Sequence, residues 1–153
     1  MTSGNAGFFL EPGEGRKVSA LGLTLTFRAA TSDTEGQYLA AELEIPPGGA
    51  VPPHIHHDYE EGIYVLEGEV DNRIEDRSIA QGAGSFCFVK RGTVHGQINN
   101  SSRPVKLLLI LSPPASPESL FNAIDGQPDE RVLELMREHG MEFVQQKPGL
   151  SRG

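Results

Sequence analysis

Apolar and polar residues alternate along most of this chain. Leu23, Leu25 and Phe27 alternate with Thr24, Thr26 and Arg28, a period of two that predicts a half-buried strand. Gln37 to Ile45 reads as a second strand, separated from the first by the turn cluster Thr31-Ser32-Asp33-Thr34-Glu35-Gly36 and broken by Pro46-Pro47-Gly48-Gly49. Further short strands are expected at Ile63–Leu66, Val70–Ile74, Ser78–Ala80, Ser85–Val89 and Val94–Asn99, each closed by a Gly-rich or charged turn. Val105 to Leu111 is the most apolar of them. Strands this short and this regularly punctuated predict an all-β sandwich or barrel.

The pattern changes after Ser112-Pro113-Pro114. Ser116-Pro117-Glu118 reads as a helix start, with Ser as N-cap and Pro in the first turn, so a short helix is expected over Ser119–Ile124. Pro128-Asp129-Glu130 opens a second helix. Its apolar stripe, Val132, Leu133, Leu135 and Met136, is expected to pack on the β core, with His139 as a capping residue and Gly140 as the stop. Met141 to Val144 reads as a final extended piece. The chain is thus expected to form a single domain over residues 1–153: an N-terminal arm (1–16), a β-barrel (17–112) and a helical C-terminal tail (113–153). The arm's apolar trio, Phe8-Phe9-Leu10, is expected to tuck against the sheet or a neighbouring subunit.

Charge narrows the partners. A net charge of −8 and a pI near 5.1 argue against nucleic acid and anionic membrane, both of which call for a basic face. The one cysteine, Cys87, permits no internal disulfide. No basic, apolar leader opens the sequence and no run is long enough to span a bilayer, so a cytoplasmic protein is expected.

Candidate chemistry is concentrated in Pro53-His54-Ile55-His56-His57-Asp58-Tyr59-Glu60-Glu61, which holds three of the five histidines. On a strand, His54 and His56 project from one face and His57 from the other. A carboxylate returning on the next strand and the distant His95 could join them in a metal site open to substrate. Spacing leaves the acid open between Glu60 and Glu61, with His57 and Asp58 as further candidates. His95, Gln97 and Asn99 share a face, either a solvent-facing polar stripe or the lining of a cavity in which Gln97 and Asn99 could orient a substrate. Phe86 and Phe88 share one face of their strand and Cys87 takes the other.

Two blocks of residues resemble the paired motifs of the cupin superfamily. Gly48, His54, His56, Glu61 and Gly68 fit the first, and the spacing to Gly68 selects Glu61 over Glu60. Gly84, Gly92, His95 and Asn99 fit the second, with Lys90 where that motif carries proline. Glu44-Ile45-Pro46-Pro47-Gly48-Gly49, Pro52-Pro53-His54 and the tail segments Glu118-Ser119-Leu120-Phe121 and Gly140-Met141-Glu142-Phe143 look like the small quercetin dioxygenase-like cupins. The resemblance implies a jelly-roll β-barrel, a double-sheet sandwich. It also implies one divalent transition metal ion (iron, nickel, manganese, cobalt, copper or zinc) held by His54, His56, Glu61 and His95. Glu61 would double as the catalytic base.

The activity so implied is that of a quercetinase-like, metal-dependent dioxygenase, an oxidoreductase acting with dioxygen on a small aromatic, phenolic, flavonol- or polyketide-like compound through bidentate enolate binding. The same superfamily includes non-oxidative enzymes (polyketide cyclases, isomerases, epimerases, decarboxylases) and small-molecule-binding barrels without turnover, so fold alone does not decide. A homodimer is expected by the same likeness.

Overall fold

The structure, a computed structural model, describes residues 6–113 and 117–144. Its strands are β1 (Lys17–Ala20), β2 (Leu23–Ala29), β3 (Leu39–Ile45), β4 (Ala50–Ile55), β5 (Glu60–Glu67), β6 (Glu69–Ile74), β7 (Arg77–Gly82), β8 (Phe86–Val89), β9 (His95–Ile98), β10 (Val105–Ser112) and β11 (Glu142–Phe143). Helices α1 (Pro117–Ile124) and α2 (Asp129–Glu138) stand between β10 and β11. The strands form a six-stranded sheet in the order β1-β2-β3-β10-β5-β8 and a five-stranded sheet in the order β11-β4-β9-β6-β7. Every pairing is antiparallel. The chain crosses from one sheet to the other at nearly every connection from β3 to β10, and the result is the jelly-roll sandwich that the cupin resemblance implied, within the sandwich-or-barrel class that the short, punctuated strands predicted.

The core follows from the period of two. In β10, Val105, Leu107, Leu109 and Leu111 face inward, while Lys106, Leu108, Ile110 and Ser112 face outward. The most apolar strand takes a central place, between β3 and β5, where both neighbours can cover it. Each fully buried Leu or Val there contributes about 1.5–3 kcal/mol relative to exposure. Cys87 points into the core, and Phe86 and Phe88 lie exposed on the outer face. Gly68, at φ +81°, makes the β5–β6 turn, and a Cβ there would stand 2.9 Å from the Pro104 carbonyl.

One irregularity sets the orientation of the histidines. Val51 in β4 pairs with Gln97, yet His54 pairs with His95, so three steps along β4 match two along β9. The extra residue is a β-bulge at Pro52-Pro53, where missing backbone donors cost the ladder nothing. A regular strand with Val51 inward would turn His54 outward; the bulge reverses the parity, so that partly buried Val51 and buried His54 both line the cavity. Gly96 lies opposite the bulge.

The C-terminal helices close one side of the sandwich. Asp125 accepts the Ser19 backbone N–H at 2.8 Å, the Gly126 N–H reaches the Ser19 carbonyl at 2.9 Å, and Phe121 packs edge-on against Phe27, fixing α1 to β1 and β2. The expected stripe of α2 is buried at Val132, Leu135 and Met136. His139 caps that helix, its Nδ1 2.7 Å from the Leu135 carbonyl. The chain then returns as β11 to pair with β4, setting Phe143 opposite His54. The Ser116 cap lies outside the described residues. Phe9 is 99% exposed and Phe8 and Leu10 are also exposed, so within this chain the arm does not bury its apolar trio. No described helix is long and apolar enough to cross a membrane.

A Cβ at Gly96 would meet the Val51 carbonyl at 2.8 Å and the Pro53 Cα at 3.2 Å, both backbone atoms of the bulge. Gly96→Ala should therefore cost about 1–3 kcal/mol in chemical denaturation. Gly82→Ala, whose Cβ meets nothing within 4 Å, should cost well under half of that. Equal effects would refute a steric demand at the bulge.

Candidate metal centre

His54 is the last residue but one of β4, His56 follows that strand, Glu61 lies on β5 and His95 opens β9, so both sheets contribute. Glu61 shares the inward face of β5 with Ile63 and Val65, opposite Leu111 and Val89. One potential ligand atom from each of His54, His56, Glu61 and His95 lies within 4.8 Å of the others, and all four residues are buried. Glu60 is half-buried, with an Arg91 nitrogen 3.9 Å from its carboxylate. His57 is exposed, 3.2 Å from Glu142, and Asp58 is exposed too. The inward acid is thus Glu61.

Backbone carbonyls orient each imidazole. His54 Nδ1 lies 2.7 Å from the Pro52 carbonyl, His56 Nδ1 3.0 Å from that of Tyr59 and His95 Nδ1 3.0 Å from that of Thr93. A ring that donates from Nδ1 and gives up its Nε2 proton offers that lone pair to a metal, the arrangement of a metal-ligating histidine held by an outer contact. His56 Nε2 is 3.1 Å and His95 Nε2 3.0 Å from the same Glu61 oxygen, Oε2. Donors about 2.1 Å from one cation, at right angles, stand about 3 Å apart. Three imidazoles and a carboxylate at these separations fit the metal site of a cupin.

Electrostatics agree with the geometry. Burial alone would raise the Glu61 pKa, but hydrogen bonds from His56 and His95 outweigh it and hold the carboxyl well below its usual range. Burial, with a contribution from His95, pushes His54 down to about 4. Burial also disfavours the charged form of His95, yet the Glu61 hydrogen bond and charge leave its pKa raised. Burial and then the Glu61 charge push up both the Tyr59 hydroxyl and the Cys87 thiol, which keeps that thiol unreactive.

The centre opens on a cavity with about 730 Å³ of unfilled space, its mouth included. His54, His56, Glu61 and Gln97 mark its polar end, and Leu25, Leu43, Leu109 and Leu111 line the sheets. Phe121, Ile124, Val132, Met136 and Met141 from the tail complete the wall, so the α2 stripe serves the cavity as well as the core. The shared face of His95, Gln97 and Asn99 is buried. Asn99 is committed to the protein, donating to the Ile45 and Arg103 carbonyls at 2.9 and 2.7 Å and accepting from Ser101. Sequence reasoning placed Tyr59 in a turn and overlooked it; the ring stacks on His56 at 4.0 Å between centroids and lines the cavity. An aromatic residue inside the histidine and glutamate cluster was the signal available.

A family model described as a cupin domain matches residues 41–111. The rhicadhesin receptor of Pisum sativum is 35% identical over 117 residues, covering 69% of this chain and 52% of that protein. Quercetin 2,3-dioxygenase of Bacillus subtilis is 30% identical over 95 residues, covering 62% of this chain and 28% of that protein. The chain thus spans about half the length, or less, of these curated relatives. Among solved structures, the polyketide cyclase RemF from Streptomyces resistomycificus matches with a TM-score of 0.64 and 25% identity, over 83% of this chain and 90% of that one.

A metal entering this centre must displace the proton that Glu61 helps His95 retain. The sign follows: lower pH favours the protonated, metal-free form. Affinity for zinc or nickel, measured by competition with a chelating dye, should fall about tenfold or more from about pH 8 to about pH 6. A pH-independent constant would exclude His95 as a ligand.

Proposed function

The chain belongs to the cupin superfamily, and on that premise we propose that it is a metal-dependent enzyme of the dioxygenase kind, acting on a small aromatic, phenolic or polyketide-like compound. The observation that carries this reading is the ligand cluster at the polar end of a hydrocarbon-lined cavity. The relation to quercetin 2,3-dioxygenase supports the oxidative class.

His54, His56, His95 and Glu61 would hold the ion. A divalent metal bound there supplies Lewis acidity, which acidifies a substrate hydroxyl and stabilises the resulting anion. The residues of the chain do the rest. Carbonyls of Pro52, Tyr59 and Thr93 accept from the Nδ1 atoms and keep the Nε2 atoms aimed at the centre. Glu61 Oε2 is engaged by His56 and His95, whereas Oε1 has no hydrogen-bond partner among the described residues. Oε1 is therefore the atom to which a substrate hydroxyl can pass its proton. The hydrocarbon walls exclude water from the anion that forms.

A second reading is a non-oxidative cyclase, favoured by the fit to the polyketide cyclase over 83% of this chain. Metal analysis of the purified protein and oxygen uptake with quercetin separate the two. The dioxygenase reading expects near-stoichiometric metal and oxygen consumption that requires quercetin, lowered about 100-fold in kcat by Glu61→Gln. Metal without oxygen uptake over a panel of flavonols and enolisable phenols would favour the cyclase. No metal after reconstitution would sink both.

A further inference from the structure

Two polar side chains in the cavity have no hydrogen-bonding part in the protein itself. Gln97 is 4% exposed and Tyr59 7%, and both line the cavity. Neither the Gln97 amide nor the Tyr59 hydroxyl hydrogen-bonds to any described residue. Their polar atoms are not sealed from the cavity, so both are open to a hydrogen bond from a ligand bound there.

The neighbours leave both groups unbonded, although Asn72 Oδ1 is itself buried without a partner among the described residues. Asn72, the cross-strand partner of Gln97, gives its amide to Gln81 Oε1 at 2.7 Å. Asn99, two residues on, is bound to the Ile45 and Arg103 carbonyls. The Tyr59 ring lies nearly parallel to His56, at 17°, and the Tyr59 carbonyl takes the His56 Nδ1 contact. The ring is thereby fixed beside the cluster, at the wall of the cavity. Gln97 sits on the same inward face of β9 as His95.

We infer that Gln97 and Tyr59 are positioning residues that hold the oxygen-bearing end of an uncharged, mainly hydrocarbon ligand beside the His54, His56, Glu61 and His95 cluster. The inference rests on the reading of that cluster as a metal site and deepens it. Tyr59 offers one O–H donor; Gln97 offers an N–H donor and a carbonyl acceptor. Together they match a ligand carrying both a carbonyl or ether oxygen and a hydroxyl. The remaining lining includes no lysine or arginine. A phosphate or a remote carboxylate would therefore lie against hydrocarbon with its charge uncompensated.

Anaerobic calorimetric titration of the metal-loaded protein tests this, with 3-hydroxyflavone and glucose 6-phosphate as probes. The wild type should bind 3-hydroxyflavone at least tenfold more tightly than glucose 6-phosphate. Tyr59→Phe and Gln97→Met should each weaken 3-hydroxyflavone about tenfold, the loss of one hydrogen bond to the ligand. Their melting temperatures should be unchanged, because neither polar group bonds to a described residue. A structural role would lower melting together with binding, and that result would overturn the inference. So would wild-type affinity in both variants, tighter binding of glucose 6-phosphate, or no binding of 3-hydroxyflavone by the wild type. Metal content of the same samples and oxygen uptake in a separate assay report on the enzyme reading. A metal-loaded protein that binds 3-hydroxyflavone through Tyr59 and Gln97 without consuming oxygen would refute only the dioxygenase.

Discussion

A carboxylate occupies the inward face of a central strand, where alternation would otherwise place hydrocarbon. Burying an isolated carboxylate costs several kcal/mol even after relaxation, so Glu61 is tolerable only with compensation close by. Two imidazole nitrogens about 3 Å from one of its oxygens supply it. They require orientation in turn, and it comes from the Tyr59 and Thr93 carbonyls; the Pro52 carbonyl does the same for His54. These carbonyls lie where the backbone leaves regular strand geometry: at the bulge of β4, in the loop after it and in the turn before β9. The irregular backbone of the sandwich therefore serves the one buried carboxylate among the described residues.

Much of this was legible in the sequence because it depends on local period. The apolar run of Val105 to Leu111 identified one strand, and the alternation of Leu23 to Phe27 another. The spacing of His54 and His56 put both on one face, and motif spacing selected Glu61. The bulge was not legible, since parity along β4 depends on its register against β9. Nor could period decide whether His95, Gln97 and Asn99 faced solvent or cavity, because a polar stripe looks the same in both cases. Asn99 and Gln97 share that face, but only tertiary contacts reveal that Asn99 clamps a loop while Gln97 remains free. Tyr59 was hidden by its place in a turn, where exposure is the ordinary expectation.

The relatives bear different names, a receptor, a dioxygenase and a cyclase. That spread follows from how the site is built. The ligand residues hang on β4, β5 and β9 and their junctions, which the sandwich fixes. What a ligand meets next comes from the inward residues of other strands and from the tail. Those positions can change without disturbing the buried carboxylate, so specificity can diverge while the centre persists.

The tail joins both parts. Helices α1 and α2 wall the cavity with Phe121, Ile124, Val132 and Met136. A few residues later the same chain pairs β11 with β4, the Val144 N–H reaches the Pro53 carbonyl at 3.0 Å, and Phe143 stands opposite His54. The segment that shapes the apolar end of the cavity thus also braces the bulge that turns His54 inward. A substitution that reseats α2 would be felt at His54 through about eight residues of chain, a shorter path than any through the sheets. The tail is therefore part of the site, and the barrel without it would have neither a closed cavity nor a braced bulge.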